Sequence, residues 1–274
     1  MKAKKRTALL GRVYLIICLI VALFPIYWMI NTSFKSDSEI YAKVPTLIPH
    51  HPTGAAYSYL INNTNFLSSM KNSLIIAVSV SVFSILIAYP VAYTLSRLKF
   101  KGRRIFSKSV LFMYLLPTTV LYIPLYMLVS KMHLTNTIWG LIVIYPTFTL
   151  PYVAWILIPH IAAVPKELEE AAKVDGCSRI GTMYKIVFPL ALPGIISTTI
   201  FTFAMCWGEY ALVNLTSSQV QTFPLVISGL IYGDMPPWNQ LMAGGVLAGI
   251  PIIVIYMLAS SGLVGGATDG GVKG

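Results

Sequence analysis

The residues whose types and spacing suit contact with another molecule are concentrated between Val164 and Pro189. This segment is the only long charged run in the second half of a chain that is otherwise mostly apolar. Apolar runs flank it that are too long for ordinary strands, so the segment must lie in water between two membrane spans. A charged, helix-forming segment in that position is expected to touch a partner. Its charged residues are Lys166, Glu167, Glu169, Glu170, Lys173, Asp175, Arg179 and Lys185.

The local pattern predicts a short helix, a turn and a second helix. Pro165 suits the first helical position, and the lysines, glutamates and alanines that follow are good helix formers. Glu169 and Lys173 are spaced for an ion pair along the helix. Asp175-Gly176 is typical of a turn or a helix stop. One narrow helix face is expected to hold Leu168, Ala171 and Ala172, and helical spacing resumes at Ile180, Met183, Tyr184 and Val187.

The composition indicates a polytopic membrane protein. Hydrophobic residues make up 56% of the chain and charged residues only 11%, too few charges to cover a soluble domain of this size. The three cysteines, Cys18, Cys177 and Cys206, form neither a disulfide framework nor a metal-binding spacing. His50-His51 lies in a proline-rich connection and is interpreted as loop sequence, so no metal site is expected.

Six apolar runs are each close to the length of about 20 residues that a helix needs to cross the hydrocarbon core. We place the spans at about 13–30, 74–95, 109–129, 138–158, 190–207 and 241–263, all within one transmembrane domain, 1–274. A signal peptide is the alternative for the first run. That run is longer than a typical signal core and no small-residue cleavage site follows it, so we interpret it as a retained span.

The distribution of basic residues predicts the orientation. Of the 20 basic residues, 16 lie in the N-terminal segment 1–12, the 97–108 loop, the 164–189 segment and the C-terminal tail after the last span. The positive-inside rule places these parts, and both termini, in the cytoplasm of a cell with the chain in its plasma membrane. The net charge of +11 therefore reflects topology and contact with membrane lipid. Nucleic acid is not expected as a partner, because the basic loop lacks interleaved aromatic residues for base stacking.

The chain does not carry its own energy source. Only Glu209 comes close to the membrane interior, whereas ion-coupled carriers usually place ionisable residues there. No G-x-x-x-x-G-K-[ST] phosphate loop is present, and the histidines stand in no catalytic motif. These observations argue against a secondary carrier and against a membrane enzyme, and they leave the energy to another subunit.

The charged segment resembles a known motif. Glu170-Ala171-Ala172, three residues, Gly176, nine residues and Ile186-Val187-Phe188-Pro189 are similar to the E-A-A-x3-G-x9-I-x-L-P motif of the membrane-spanning subunits of ATP-binding-cassette (ABC) importers. Only Phe188 departs from it, where Leu is usual. The resemblance implies a coupling helix that docks in a groove of the ATPase subunit. It assigns this contact to Glu167, Leu168, Glu170, Ala171, Ala172, Asp175, Gly176, Ile186 and Pro189; a solvated hairpin that touches nothing is the alternative.

Three further stretches sharpen the resemblance to MalG-like permease subunits of carbohydrate ABC importers. These are Phe24–Ile30, Trp207-Gly208-Glu209-Tyr210 with Gly where Asn is usual, and the tail 266–274, where Ala267 and Asp269 replace Leu and Ala. The implied fold is the all-α type I importer permease fold with six transmembrane helices. The implied partners are a second, homologous permease subunit, two ATPase subunits that bind ATP and Mg²⁺, and an extracytoplasmic solute-binding protein. This chain itself would hold no cofactor.

The resemblance also implies an oligosaccharide substrate, from neutral glucans to uronate-type chains. Its path is assigned to Tyr145, Trp207 and Glu209. An importer for a non-sugar solute shares the Glu-Ala-Ala loop and remains the alternative, ahead of a secondary carrier.

The connection 209–240 is much longer than two spans require and is rich in apolar side chains. Such residues should not stand free in water, so the connection must pack on the membrane domain, dip toward the cavity or meet a partner. In the MalG-like family the matching loop reaches into the binding protein. That contact is assigned here to Thr222, Phe223, Pro224, Gly233, Asp234, Pro236 and Trp238.

Overall fold

All regular secondary structure in the part of the chain that the structure describes is helical. A computed structural model describes residues 2–231 and 234–268, with side chains for 11–231 and 234–259. No strand occurs within those ranges, so the predicted all-α class is confirmed. The helices are α1 (Lys2–Ser33), α2 (Asp37–Ile40), α3 (Ala55–Asn63), α4 (Phe66–Arg97), α5 (Arg103–Leu115), α6 (Thr118–Lys131), α7 (Ile138–Ile144), α8 (Pro146–Ala162), α9 (Lys166–Val174), α10 (Arg179–Thr182), a π-helical turn (Met183–Val187), α11 (Phe188–Leu190), α12 (Leu192–Trp207), α13 (Ala211–Thr216), α14 (Phe223–Ser228) and α15 (Trp238–Thr268).

Three helices in the described residues are long and apolar enough to cross a membrane, namely Gly11–Ser33, Phe66–Arg97 and Trp238–Ala259. The expected spans 13–30 and 74–95 lie inside α1 and α4, and the span 241–263 lies inside α15. Three further apolar runs are each a bent pair of helices, so the number of candidate spans reaches six if each pair counts as one.

The bends follow from prolines that begin a new helix. The bend angles are 93° between α5 and α6, 40° between α7 and α8, and 77° between Arg179–Leu190 and α12. Leu116, directly before Pro117, has φ −66° and ψ 133°, the extended conformation that a following proline favours. The expected span 109–129 is therefore not one straight helix. By contrast, Pro25, Pro90 and Pro251 remain inside their helices.

The contacts group into two compact units, and the single transmembrane domain 1–274 stays a prediction. The first unit combines residues up to Leu67 with Val226–Ile250, and the second combines Ser68–Leu225 with residues from Pro251 onward.

In the first unit, Lys35 is only 3% exposed. Its ammonium group donates to the carbonyl of Thr46 and lies 4.8 Å from the ring centroid of Trp28. The Lys35 carbonyl accepts a hydrogen bond of 3.2 Å from Asn239, so polar contacts order the connection that follows α1.

Glu39 organises the same connection. Its carboxylate accepts hydrogen bonds from the Thr46 hydroxyl at 2.5 Å and from the His50 amide at 3.1 Å. The Thr46 hydrogen bond lowers the pKa of Glu39 below its usual value.

The core of the second unit lies between α4, α8, the π-helical turn and α12. Tyr89, Leu157, Ile161 and Val187 are all within 1% of full burial there. The Tyr89 hydroxyl donates to the Met183 carbonyl at 2.7 Å and thereby satisfies a carbonyl of the π-helical turn. Pro189 follows this turn and lacks the amide proton that a regular helix would use, which accounts for the widened winding before it. This core holds α9 at one end of α4.

Candidate functional site

Helix α9 has one face against the second unit and one face open to solvent. Glu169 and Ala172 are 4% and 8% exposed. Leu168 is 44% exposed and Val174 is 88% exposed, and Ala171 between them is exposed as well. The spacing of these three residues places them on one helical stripe, so α9 presents an apolar surface that no part of the described chain covers.

A buried ion pair fixes the inner face of α9. Arg97 Nε, at the last residue of α4, lies 2.6 Å from Glu169 Oε1, and both side chains are 6% exposed. The Tyr93 hydroxyl donates to Glu169 Oε2 at 2.9 Å. Arg97 Nη2 also donates to the carbonyl of Val164 at 2.5 Å. A charge so well buried requires its partner, and α9 is therefore anchored to the end of α4.

Two details predicted for this helix are wrong. Glu169 pairs with Arg97 rather than with Lys173, because the side chain of Glu169 points into the unit while Lys173 is exposed. Ala172 is buried next to Glu169, whereas Leu168 is exposed, so Ala172 does not contribute to the exposed surface. The exposed apolar residues of α9 are Leu168, Ala171 and Val174.

The end of α9 is a Schellman motif built on Gly176. The Gly176 amide donates to the Lys173 carbonyl at 3.1 Å and the Cys177 amide donates to the Ala172 carbonyl at 2.8 Å. These are the two bonds of that motif with Asp175 as C-cap. Gly176 has φ +80°, a left-handed conformation that glycine adopts without steric cost. The predicted turn is therefore present at Asp175-Gly176.

The second half of the 164–189 segment is packed on the core of the second unit at Val187. The Ser178 hydroxyl accepts the Gly181 amide at 3.1 Å and caps α10. Ile186 is half-buried and Pro189 is exposed, so the two differ in how far a partner can reach them. Val187, between them, is fully buried in the core of the unit.

A cavity of about 640 Å³ lies between α9 and the end of α4. Its cations, Arg97, Lys99, Lys166, Lys173 and Arg179, outnumber its carboxylates, Glu169 and Glu170. Its electrostatic character therefore suits an anionic group. Within residues 2–231 and 234–268, no three His, Cys, Asp or Glu side chains lie close enough to hold a metal ion.

Glu209 lies at the centre of a second polar cluster. Its carboxylate accepts hydrogen bonds from the Tyr145 hydroxyl at 3.1 Å and from the Tyr122 hydroxyl at 3.4 Å. It also accepts the amides of Leu212 at 2.9 Å and of Val213 at 3.3 Å, in the first turn of α13. The positive end of the α13 dipole stabilises a carboxylate at this position. Glu209 therefore connects α6, the junction of α7 and α8, and the start of α13.

The two aromatic residues assigned to the substrate path are buried. Tyr145 is 1% exposed and Trp207 is 2% exposed. The Trp207 ring centroid lies 5.4 Å from that of Phe203 and 4.7 Å from that of Phe223. Neither ring has a face open to a sugar in this conformation, whereas Glu209 is partly exposed.

The stretch Thr222–Pro224 is also largely internal. Thr222 is 4% exposed and Phe223 is 8% exposed. The Phe223 amide donates to the Ser73 hydroxyl at 3.1 Å, and the Gln221 carbonyl accepts from Asn72 at 3.0 Å. Only Pro224 retains partial exposure. Packing within the second unit therefore accounts for this part of the long connection.

The other assigned stretch, in the first unit, is more open. Asp234 is exposed and Trp238 is 41% exposed. The Pro236 carbonyl accepts the Tyr41 hydroxyl at 2.7 Å, which holds the stretch on the connection after α1. Gly233 lies outside the described residues, as do residues 269–274 of the tail. Asp234, Pro236 and Trp238 are thus accessible to a partner.

Arg97 and Tyr93 are the residues of the candidate site that sequence reasoning missed. Arg97 was counted only as one of the basic residues of the 97–108 loop. The residue that could have indicated this pair is Glu169. A carboxylate on the buried side of a helix requires a positively charged partner. No local spacing pairs Glu169 with Arg97, because they are far apart in the sequence.

The chain matches one family profile over most of its length. The profile described as "Binding-protein-dependent transport system inner membrane component" matches residues 81–264. This range contains α9, the ion pair and the Glu209 cluster.

Individual proteins match over nearly the whole chain. The diacetylchitobiose uptake system permease protein DasC of Streptomyces coelicolor is 34% identical, covering 98% of this chain and 100% of the relative. The trehalose/maltose transport system permease protein MalG of Thermococcus litoralis is 33% identical, covering 98% and 99%. A bacterial ABC transporter involved in alginate import has the same fold, with a TM-score of 0.75 at 20% identity over 95% of this chain and 98% of that chain.

Proposed function

Because the chain belongs to the family of binding-protein-dependent transport system inner membrane components, we propose that it forms half of the translocation path of an oligosaccharide importer. The support for a sugar lies in its relatives, whose names specify diacetylchitobiose and trehalose or maltose. The other half of the path would come from a homologous permease subunit. An extracytoplasmic solute-binding protein would deliver the substrate.

Coupling to ATP hydrolysis is assigned to α9. Leu168, Ala171 and Val174 form an apolar stripe on a helix whose opposite face is held by the Arg97–Glu169 ion pair. This arrangement is the single observation that carries the assignment. A helix that transmits motion must be held firmly by its own subunit on one side and must be accessible to the ATPase on the other. Two ATPase subunits, with ATP and Mg²⁺ bound to them, would receive the stripe in a groove. This chain would contribute contact and motion but no chemistry of hydrolysis.

The contacts of α9 with α4 and α10 determine which helices move when α9 is displaced. A displacement of Glu169 pulls directly on Arg97 and Tyr93 at the end of α4. The Schellman turn at Gly176 carries the same displacement into α10, which continues through the π-helical turn toward α12. Both α4 and α12 are apolar segments that the membrane would surround. Rotation of the ATPases is therefore expected to tilt these two helices.

The orientation in the membrane rests on charge. With α9 and the 97–108 loop in the cytoplasm, the positive-inside rule is satisfied and both termini are cytoplasmic. Asp234, Pro236 and Trp238 then face the extracytoplasmic side, where a binding protein docks. We assign that contact chiefly to these exposed residues rather than to Thr222 and Phe223, which are buried.

Glu209 is assigned to the border of the substrate path. Glu209 is partly exposed and accepts a hydrogen bond from the buried Tyr145, while Trp207 is buried two residues before it in the chain. A sugar would meet the two rings only after the cluster opens in another conformation.

Transport by the assembled importer tests this function. The chain would be reconstituted with its partner permease, ATPase and binding protein in proteoliposomes, and uptake of a panel of labelled disaccharides and oligosaccharides would be measured with ATP inside. We expect uptake of at least one sugar, and a loss of uptake when Ala171→Arg places a bulky cation on the stripe. A complex that is active on amino acids or polyamines and on no sugar would refute the substrate class.

A further inference from the structure

A surface groove beside the C-terminal half of α4 ends in a cluster of cations. At the end of the groove is a cavity of about 740 Å³ that is lined by Lys99, Arg103, Arg104 and Lys108. No acidic residue is among the described residues that line it. The positive-inside rule accounts for the side of the membrane on which these cations are expected, but not for their grouping around one cavity. Its excess of positive charge calls for an anionic occupant.

The cations are arranged around a fixed turn. Gly102 has φ +88° and directly precedes α5, a left-handed conformation that glycine adopts without steric cost. Arg103 donates to the Leu95 carbonyl at 2.7 Å and to the Ser96 carbonyl at 3.4 Å, which holds its guanidinium at the C-terminal end of α4. Lys99, Arg104 and Lys108 are exposed, and no described acidic residue forms an ion pair with them. Three cations are therefore free to bind a ligand.

From this cavity an apolar part of the groove, the apolar track, extends along α4. The cavity shares Leu95 and Phe100 with an apolar groove of about 300 Å³. That groove shares Val91 with a smaller apolar pocket that reaches Ile87. From Ile87 to Arg97 the helix rises by about 15 Å, close to half of the ~30 Å hydrocarbon core. The track thus has the length of one acyl chain in a single leaflet.

We propose that this groove binds one anionic phospholipid. The phosphate lies among Lys99, Arg103, Arg104 and Lys108, and one acyl chain follows the track past Phe106 and Val91. Basic pockets beside apolar helices on the cytoplasmic side of membrane proteins suit such headgroups. A zwitterionic lipid would leave the positive charge unbalanced, and an apolar helix of a partner subunit would leave the cavity with its cations unmatched.

Lipid retention by the assembled permease complex tests the headgroup contact. The complex would be purified from bilayers of phosphatidylcholine with a minor fraction of phosphatidylglycerol, and retained lipids would be counted by native mass spectrometry. We expect selective retention of phosphatidylglycerol and about fivefold weaker retention after Arg104→Gln or Lys108→Gln. Lys101→Gln is the matched control, because Lys101 lies in the same loop and lines no part of the cavity. Equal retention of the two lipids, or an equal loss with Lys101→Gln, would overturn the proposal.

Two further variants test the track and its occupant. Val91→Phe fills the apolar groove without changing charge and is expected to lower retention in a complex that still assembles; unchanged retention would contradict the acyl-chain contact. A photoreactive benzoylphenylalanine in place of Phe106, which is 51% exposed, should cross-link to lipid. A cross-link to another protein subunit instead would show that a partner helix covers the groove, and the proposal would fall.

Discussion

Removing the carboxylate of Glu169 is the sharpest perturbation that the structure offers. Glu169→Ala leaves the guanidinium of Arg97 at 6% exposure without its counter-ion. It also leaves the Tyr93 hydroxyl without the oxygen that accepts its hydrogen bond. The substitution does not alter the exposed stripe of α9, so any effect reports on how α9 is held rather than on what it touches.

The expected loss of stability is large. Breaking one side of a buried ion pair costs about 3–5 kcal/mol, a sizeable part of the ~5–15 kcal/mol that stabilises a typical fold. For a chain of this size the apparent unfolding temperature should fall by about 6–20 °C. Lys173→Ala, on the exposed side of the same helix, should change the unfolding free energy by no more than about 0.5 kcal/mol.

Two measurements separate stability from coupling. Thermal unfolding of the purified complex gives the first, and stimulation of ATPase activity by the loaded binding protein, measured well below the unfolding temperature, gives the second. Glu169→Ala is expected to lower both. The double variant Arg97→Met/Glu169→Leu removes both charges and should regain stability, as apolar replacement of buried pairs often does, but not stimulation. Wild-type stability and stimulation in Glu169→Ala, or full stimulation in the double variant, would refute the anchoring role of the pair.

Three other predictions concern the turn, the topology and the first unit. Gly176→Val should lower ATPase stimulation and destabilise the turn by about 1–2 kcal/mol, because a left-handed residue is strained, whereas Gly176→Asn should retain most of the stimulation; equal behaviour of the two variants would contradict the Schellman motif. Cys177 should react with a membrane-impermeant thiol reagent in inverted vesicles and not in intact cells, with Cys177→Ser as the control; labelling in intact cells would reverse the proposed orientation. Because its pKa is lowered, the Glu39 carboxylate stabilises the 39–50 connection at neutral pH, and this contribution is lost as pH falls through the lowered value. Proteolysis between Glu39 and His50 should therefore accelerate as the pH falls below the ordinary pKa of a glutamate, and a persisting pH dependence in Glu39→Gln would show that another group is responsible.

The local features of the coupling segment could be predicted because their causes are local. Helix formers after Pro165 and the Asp175-Gly176 pair specify α9 and its turn through propensity and backbone geometry, and the Glu-Ala-Ala motif around them led to the family that the profile match confirms. A secondary carrier is thereby set aside in favour of an importer subunit. The helix face was mispredicted, because Leu168, Ala171 and Ala172 are all apolar and spacing alone does not say which side is buried.

Long-range features could not be predicted in the same way. The Arg97–Glu169 pair depends on the packing of α9 against the end of α4, and no spacing rule connects residues so distant. The prolines indicated kinks in general, yet Pro117 ends a helix while Pro90 remains inside one. The residues around Pro90, such as Tyr89 and Ala92, are buried in the core of the second unit, whereas Leu116 adopts an extended conformation before Pro117. Tyr145 is likewise buried in the Glu209 cluster and Trp207 against Phe203 and Phe223, and only the fold brings these groups together.

Cross-linking from the open face of α9 tests whether the ATPase engages that face. A photoreactive benzoylphenylalanine would replace Val174, which is 88% exposed, in the intact importer, with Met235, 66% exposed in the first unit, as the comparison site. We predict that the probe at Val174 cross-links to the ATPase subunit and that the probe at Met235 does not. A cross-link from Val174 to the solute-binding protein, or none to the ATPase in a complex that hydrolyses ATP and transports, would contradict the account.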